Sequence, residues 1–354
     1  MSARYEEALK HIREVFGDRL KRGSVQEGEK APDEALALVS PINAKEVELL
    51  AEVAERFSVT LVGQGAGTGR GADMQRDSIV VRFDLMGGIR LPDLDEFWVE
   101  AEPGALLLEL DNNLHTQGQG LTVYPTSAPR ATIGGWLAQD GLGVGSFEYG
   151  WLSENVLSAD VVLLKGGRRT IREDDLRSFM EVGESVGLVV GAKLRTRRAD
   201  VDVPFAAHFK APEDLAGAVA DLSDAGTPLW HLAFVNPGMS QARGLGDDYL
   251  LFGAYPGKRA KDVEEGLRDT LGPRGGRMLP AADAYRVWGE RFFPVAPSHP
   301  TPAPERALVP LTELTGVLDG MQDRPEENAV QGTVSRSEEV LLLTFDAREE
   351  GWVR

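Results

Sequence analysis

Apolar positions along the chain fall into short runs that alternate between helical and extended spacing. Residues 2–16 read as an amphipathic helix, and a polar stretch over 23–34 follows without an apolar period. Leu36-Ala37-Leu38-Val39 is a short buried-strand run closed by Pro41. Asn43 then stands as an N-cap with Glu46 at N3, a capping-box arrangement. Val47, Leu50, Ala51, Ala54 and Phe57 follow at helical spacing. A strand over 59–62 runs directly into Gly63-Gln64-Gly65-Ala66-Gly67-Thr68-Gly69-Arg70-Gly71. Further strands are predicted over 79–83 and 98–101, the second closing at Pro103-Gly104, with a helix over 106–114. Strands alternating with helices predict a mixed α/β first third with a largely parallel sheet.

Residues 120–150 read as loop-rich, and strands return over 159–164 and 188–194. Beyond residue 200 the order is strand 203–209, helix 212–223, strands 229–235 and 249–254, and helix 260–271. That β-α-β-β-α series predicts a ferredoxin-like α+β layer. Five prolines between 294 and 304 require loop or polyproline II. The fold class expected is therefore α+β. The domains expected are an N-terminal helix and linker (1–31), a ligand-binding domain (32–200) and an α+β cap (201–354).

The chain has 354 residues, 42% hydrophobic and 27% charged, as in ordinary globular protein. A net charge of −18 argues against nucleic acid or anionic lipid as partner. No apolar run reaches the ~20 residues of a membrane span. Glu6, Glu7, Glu14 and Asp18 make the first twenty residues unlike a signal peptide, so a cytoplasmic protein is expected. With no cysteine, disulfides, thiolate metal sites and cysteine nucleophiles are excluded.

Sixteen of the forty glycines lie between Gly63 and Gly150, about a quarter of the chain, so the clustering itself is a signal. Glycine is useful where backbone must approach a ligand closely, and a glycine loop after a strand can wrap a phosphate. The 63–71 loop is not a Walker A sequence, and Arg70 stands where the dinucleotide fingerprint wants glycine. On spacing alone, a structural turn is the alternative reading.

Several segments in order carry more. Gly63 to Gly69, Ala131-Thr132-Ile133-Gly134-Gly135, Ser146-Phe147-Glu148-Tyr149-Gly150 and Gly183-Glu184-Ser185-Val186-Gly187-Leu188-Val189 together resemble one family. It is the FAD-binding domain of the p-cresol methylhydroxylase/vanillyl-alcohol oxidase type, and the resemblance covers roughly residues 32–197. Within it the chain is most similar to the smaller FAD-binding subunit of glycolate oxidase and to D-lactate dehydrogenases. The resemblance implies that Gly63, Gly65, Ala66, Gly67, Thr68 and Gly69 hold the FAD pyrophosphate. It places Pro125, Ser127, Thr132, Ile133, Gly134 and Gly135 along the flavin ring and ribityl chain. Ser146, Tyr149 and Gly150 would follow the cofactor, and Gly187 and Val189 would meet the adenine end; a tight turn into a strand is the other reading of that last segment. No histidine occupies the 63–71 loop and cysteine is absent, so non-covalent FAD is expected.

Oxidation of a hydroxy acid by flavin needs a base for the hydroxyl proton and a clamp for the carboxylate. Among His11, His115, His208, His231 and His299, both His208 and His231 lie in or beside strands of the second domain, where a histidine facing the flavin could be the base and a hydrogen-bonded structural histidine is the alternative; His231 is the candidate taken. Arg291, within Tyr285-Arg286-Val287-Trp288-Gly289-Glu290-Arg291-Phe292-Phe293, is the candidate clamp, on a helix that could roof the flavin. Its alternative is a solvated arginine on a helix whose Tyr285, Trp288 and Phe292 serve the core. Many hydroxy-acid dehydrogenases of the family carry a C-terminal His-x-Gly-Asp-Gly-Asn-x-His segment; residues 329–345 do not, so no metal is expected. The expected function is oxidation of a small 2-hydroxy acid such as glycolate or D-lactate by hydride transfer to flavin. The alternatives are a non-catalytic or electron-relay subunit with partner subunits in an oxidase complex, or an oxidase of a sugar alcohol or aldonolactone.

Overall fold

The computed structural model of the protein describes residues 3–22, 37–68, 78–91, 95–172, 174–182, 186–292, 304–321 and 328–346. Gly69, residues 70–73, 183–185 and 294–303, and with them His299, lie outside the described residues. The chain divides into two compact units. One comprises Met1–Leu121, Ala128–Asp140 and Ser153–Arg198; the other comprises Thr122–Ser127, Gly141–Leu152 and Ala199–Arg354.

In the first unit, helix α1 (Ala3–Phe16) buries Tyr5, Ala8, Leu9, Ile12 and Phe16 along one stripe. The Tyr5 hydroxyl donates to the Ser78 carbonyl and accepts from the Ala37 amide, tying the helix to two strands. Helix α2 (Ala44–Phe57) starts at Asn43, whose side chain accepts from the Glu46 amide at 3.0 Å. The Glu46 carboxylate accepts from the Ile42 amide and is gripped by both terminal nitrogens of Arg19, at 2.6 and 2.8 Å. The hydrogen-bonded guanidinium holds that carboxyl below its ordinary range.

Strands β1 (Leu20–Arg22), β2 (Ala37–Val39), β3 (Thr60–Gln64) and β4 (Ser78–Arg82) form a sheet of order β1-β2-β4-β3. Here β2, β4 and β3 are parallel, and Ile79-Val80-Val81 is fully buried, as a strand covered on both faces should be. The second sheet contains β5 (Ile89–Arg90), β6 (Trp98–Ala101), β7 (Gln119–Leu121), β8 (Val156–Leu163), β9 (Arg168–Arg172) and β10 (Gly187–Arg198). Its order is β5-β6-β10-β8-β9, with β7 also on β10, and every pairing is antiparallel. A largely parallel arrangement thus holds for the first sheet only. In the second, β8 turns straight into β9 through Gly166-Gly167, leaving no crossover helix to set the strands parallel. Helices α3 (Leu107–His115), α4 (Ile133–Leu137) and α6 (Asp174–Val182) complete the unit.

The second unit carries α5 (Ser146–Tyr149), β11 (Asp202–Phe209), α7 (Pro212–Asp224), β12 (His231–Val235), α8 (Pro237–Ala242), β13 (Tyr249–Pro256), α9 (Ala260–Leu271) and β14 (Arg277–Met278). It continues through α10 (Ala281–Gly289), β15 (Glu305–Pro310), α11 (Leu314–Gly320), β16 (Asn328–Val334) and β17 (Glu339–Asp346). The antiparallel sheet runs β14-β11-β13-β12-β16-β17-β15. Its first four strands, taken in chain order, sit as 4-1-3-2, the ferredoxin-like layer expected from the sequence, and three more extend it.

Side-chain alternation along β12 separates two cores. Leu232 and Phe234 face the cluster built with α7, α9 and α11; Ala233 and Val235 face the one built with α8 and α10. The returning segments are held by close backbone packing. Tyr124 and Val144 exchange backbone hydrogen bonds at 3.0 and 2.7 Å, and the Trp230 indole donates to the Thr122 carbonyl at 3.1 Å. A Cβ at Gly145 would lie 2.0 Å from that carbonyl oxygen, so only glycine fits there.

Candidate functional site

Strand β3 delivers the glycine loop. Beyond Gln64 the amides of Gly65, Ala66, Gly67 and Thr68 donate to nothing among the described residues. Gly67 adopts φ +69°, and a Cβ there would meet open space. The Gln64 side-chain oxygen just before the loop is buried without a partner. Four consecutive free N–H groups are the donor set that a doubly charged pyrophosphate requires. A side chain at Gly65 would be excluded for a second reason: its Cβ would lie 2.8 Å from Thr132 Oγ1 and 3.1 Å from Gly135 Cα. That packing brings the two predicted segments 63–69 and 132–135 together.

Other predicted residues spend their polar groups within the protein. Thr132 caps α4 by accepting from the Gly135 amide at 3.3 Å. The Ile133 and Gly134 amides donate to the Ala105 and Pro103 carbonyls. Gly187 is buried at the start of β10, where a Cβ would sit 2.7 Å from the Val162 carbonyl, and Val189 pairs with Val161 beside an irregularity in register. Pro125, Ser127, Ser146, Tyr149 and Gly150 fall in the second unit, whereas the glycine loop falls in the first. Ser146 is fully buried and its hydroxyl accepts from the Gly143 amide at 2.9 Å. Gly69 lies outside the described residues.

Within the second unit, Arg291 and His231 meet around one ring. Helix α10 ends at Gly289, so Arg291 stands just past its end rather than on it. Its Nη1 donates to the Trp288 carbonyl at 2.8 Å, capping the helix that carries Trp288. The guanidinium carbon sits 4.4 Å from the Trp288 ring centroid and 4.1 Å from that of Phe292, and Nε donates to the Tyr124 hydroxyl at 3.4 Å. Among the described residues Nη2 has no acceptor. Tyr285, expected to share the core spacing of Trp288 and Phe292, is instead 51% exposed.

The imidazole of His231 lies 5.7 Å from the Trp288 ring and 6.2 Å from that of Phe252. It is fully buried, and neither nitrogen has a hydrogen-bond partner, which overturns the reading of a hydrogen-bonded structural histidine. Burial, with the Arg291 charge added, pushes its pKa down to about 3, so the ring is neutral at physiological pH. Tyr124 and Trp230 complete the aromatic shell, with ring centroids 6.0 Å apart. Neither carried a local sequence signal. Among the described residues no group of three His, Asp or Glu side chains could hold a metal, and no helix is long and apolar enough to cross a membrane.

A family described as FAD binding domain matches residues 35–172. This stretch is an FAD-binding domain. The solved structure of p-cresol methylhydroxylase with substrate bound covers 99% of this chain and 84% of its own at a TM-score of 0.75 and 12% identity, a likeness of fold. D-lactate dehydrogenase from Archaeoglobus fulgidus is 28% identical over 209 residues, 55% of this chain and 46% of that protein. A glycolate oxidase subunit from Bacillus subtilis is 25% identical over 132 residues, 37% of this chain and 28% of that protein. The matches thus span about half or less of these relatives' lengths. The four free amides after β3 fit the pyrophosphate of FAD.

Proposed function

We propose that the chain is an FAD-dependent oxidoreductase that oxidises a small 2-hydroxy acid. The observation that carries this reading is Arg291, with a free Nη2, an aromatic ring on each face and an uncommitted neutral imidazole nearby. A carboxylate is the acceptor such a guanidinium lacks. The relatives named for D-lactate and glycolate support the acid class.

Bound FAD would supply the hydride acceptor. Residues 65–68 would hold its pyrophosphate through backbone amides, non-covalently. Arg291 orients the substrate carboxylate, and the flanking rings of Trp288 and Phe292 keep the guanidinium in place and exclude water from its faces. His231 takes the hydroxyl proton on its free lone pair. A carboxylate arriving at Arg291 offsets the charge that suppresses protonation of the imidazole, so the base strengthens when substrate is present.

One observation favours a second reading: both His231 nitrogens are closed off from solvent. In that reading the chain is an FAD-binding subunit that relays electrons among partner subunits of a larger oxidase. Anaerobic mixing of the FAD-loaded chain with glycolate, D-lactate, a sugar alcohol and an aldonolactone decides. Bleaching of the flavin band by a hydroxy acid supports the oxidoreductase; bleaching by the sugar alcohol or lactone alone replaces the substrate class; no bleaching by any leaves the relay.

A further inference from the structure

The guanidinium carbon of Arg291 lies 4.4 and 4.1 Å from the ring centroids of Trp288 and Phe292. Rings against its faces fix the plane of a guanidinium but leave it free to turn within that plane. One in-plane hydrogen bond makes a pivot, and a second sets the angle. The pivot is local: Nη1 donates at 2.8 Å to the Trp288 carbonyl, three residues back. The second bond spans 167 residues, Nε donating to the Tyr124 hydroxyl at 3.4 Å. A guanidinium nitrogen can only donate, so Tyr124 is the acceptor whatever else its hydroxyl does.

The hydroxyl is carried on a rigid support. Tyr124 is buried, and its backbone exchanges hydrogen bonds with Val144 at 3.0 and 2.7 Å. Its ring centroid lies 6.2 Å from that of Phe292, with 29° between the planes, and meets Trp230 edge-on at 6.0 Å. Tyr124 therefore backs the ring that lies against the guanidinium as well as taking its Nε–H. With Nε and Nη1 committed, Nη2 is the nitrogen of Arg291 without an acceptor among the described residues. Its direction is set by the two bonds together.

We infer that Tyr124 is a positioning residue: it sets the in-plane angle of Arg291 and so aims Nη2 at the substrate carboxylate. This rests on the reading in which Arg291 takes that carboxylate. An arginine pinned at Nη1 alone spends part of its time turned away, and acid affinity falls by the fraction lost. A clamp aimed for about a tenth of the time binds about tenfold more weakly.

The test uses the FAD-loaded chain and propionate, which is lactate without its hydroxyl, titrated by tryptophan fluorescence because Trp288 adjoins Arg291. Tyr124→Phe removes one oxygen and keeps the ring. It is expected to weaken propionate binding about tenfold, with thermal melt and retained flavin unchanged. In anaerobic flavin reduction by D-lactate or glycolate, the same variant raises the acid concentration for half-maximal rate and leaves the limiting rate within about twofold. In an Arg291→Met background, Tyr124→Phe adds less than about a twofold loss, because the group it aims is gone. Unchanged propionate affinity in Tyr124→Phe overturns the inference. So does an equal loss in both backgrounds, or a loss that tracks the melt or the flavin content. Failure of the clamp itself looks different. There the parent chain binds no propionate, or Arg291→Met binds it as tightly as the parent, and the positioning role falls with it. Weakening by Arg291→Met but not by Tyr124→Phe sinks the positioning role and spares the clamp.

Discussion

Arg259 grips Glu148 with both terminal nitrogens, at 2.7 and 3.0 Å, across 111 residues of sequence. The side chains are only 28% and 23% exposed, so solvent screens the pair weakly. The Glu148 amide also donates to the Trp230 carbonyl at 3.3 Å, so α5 is tied to the head of β12. Arg259→Met leaves a shielded carboxylate unpaired and is expected to cost about 1–3 kcal/mol in urea unfolding. Glu148→Gln keeps a hydrogen bond and should cost less. Identical losses for the two would show that charge is not what ties the segment down.

His231 predicts a pH dependence of stability. Its pKa falls from an ordinary 6.5 in the unfolded chain to about 3 in the fold. The depressed value means that the unfolded state binds the proton first, so stability is complete above pH 6.5 and declines as pH drops toward 3. From pH 7 to pH 5 the loss attributable to this ring is about 2 kcal/mol. His231→Leu should flatten that portion of the profile; an unchanged slope would show that the imidazole is not held neutral.

The glycine loop predicts two different failures. Gly65→Ala pushes a methyl group against Thr132 and Gly135, and should lower both stability and retained flavin. Gly67→Ala meets no atom but must adopt φ +69°, a strain of about 1–2 kcal/mol. Flavin content after gel filtration, beside a thermal melt, distinguishes them. Acid precipitation of the native chain should leave the flavin in the supernatant, and yellow pellets would refute non-covalent binding.

Arg291 predicts a substrate defect. Arg291→Met should weaken hydroxy-acid binding about a hundredfold, by removing the charged partner of a shielded carboxylate. Arg291→Lys keeps charge but loses the planar contacts with Trp288 and Phe292, and should fall between. The dependence of anaerobic flavin reduction on acid concentration measures both. Weakened FAD retention in either variant would instead assign Arg291 to the fold.

What the sequence exposed was local. Asn43 caps α2 as its spacing requires, and β11 to β14 assemble in the order that the β-α-β-β-α series predicts. The family motifs located the loop with its free amides. Sheet direction was not legible, because strand–helix alternation looks the same whether a turn or a crossover joins the strands. Tyr124 joins Arg291 only through a contact spanning 167 residues.

The discontinuity of the second unit bears on how the protein is made. Residues 122–127 and 141–152 leave the ribosome amid the strands of the first unit, yet they belong with residues 199–354. The Trp230 indole that donates to the Thr122 carbonyl, and the Trp230 carbonyl that accepts from the Glu148 amide, do not yet exist when those segments emerge. Two stretches in the middle of the nascent chain can pair with each other through Tyr124 and Val144, but they must wait about eighty more residues of synthesis for their partners at Trp230. A fragment ending at residue 200 carries both stretches without residues 199–354, the rest of their own unit, so splitting this chain at its apparent midpoint does not separate it into two folding pieces.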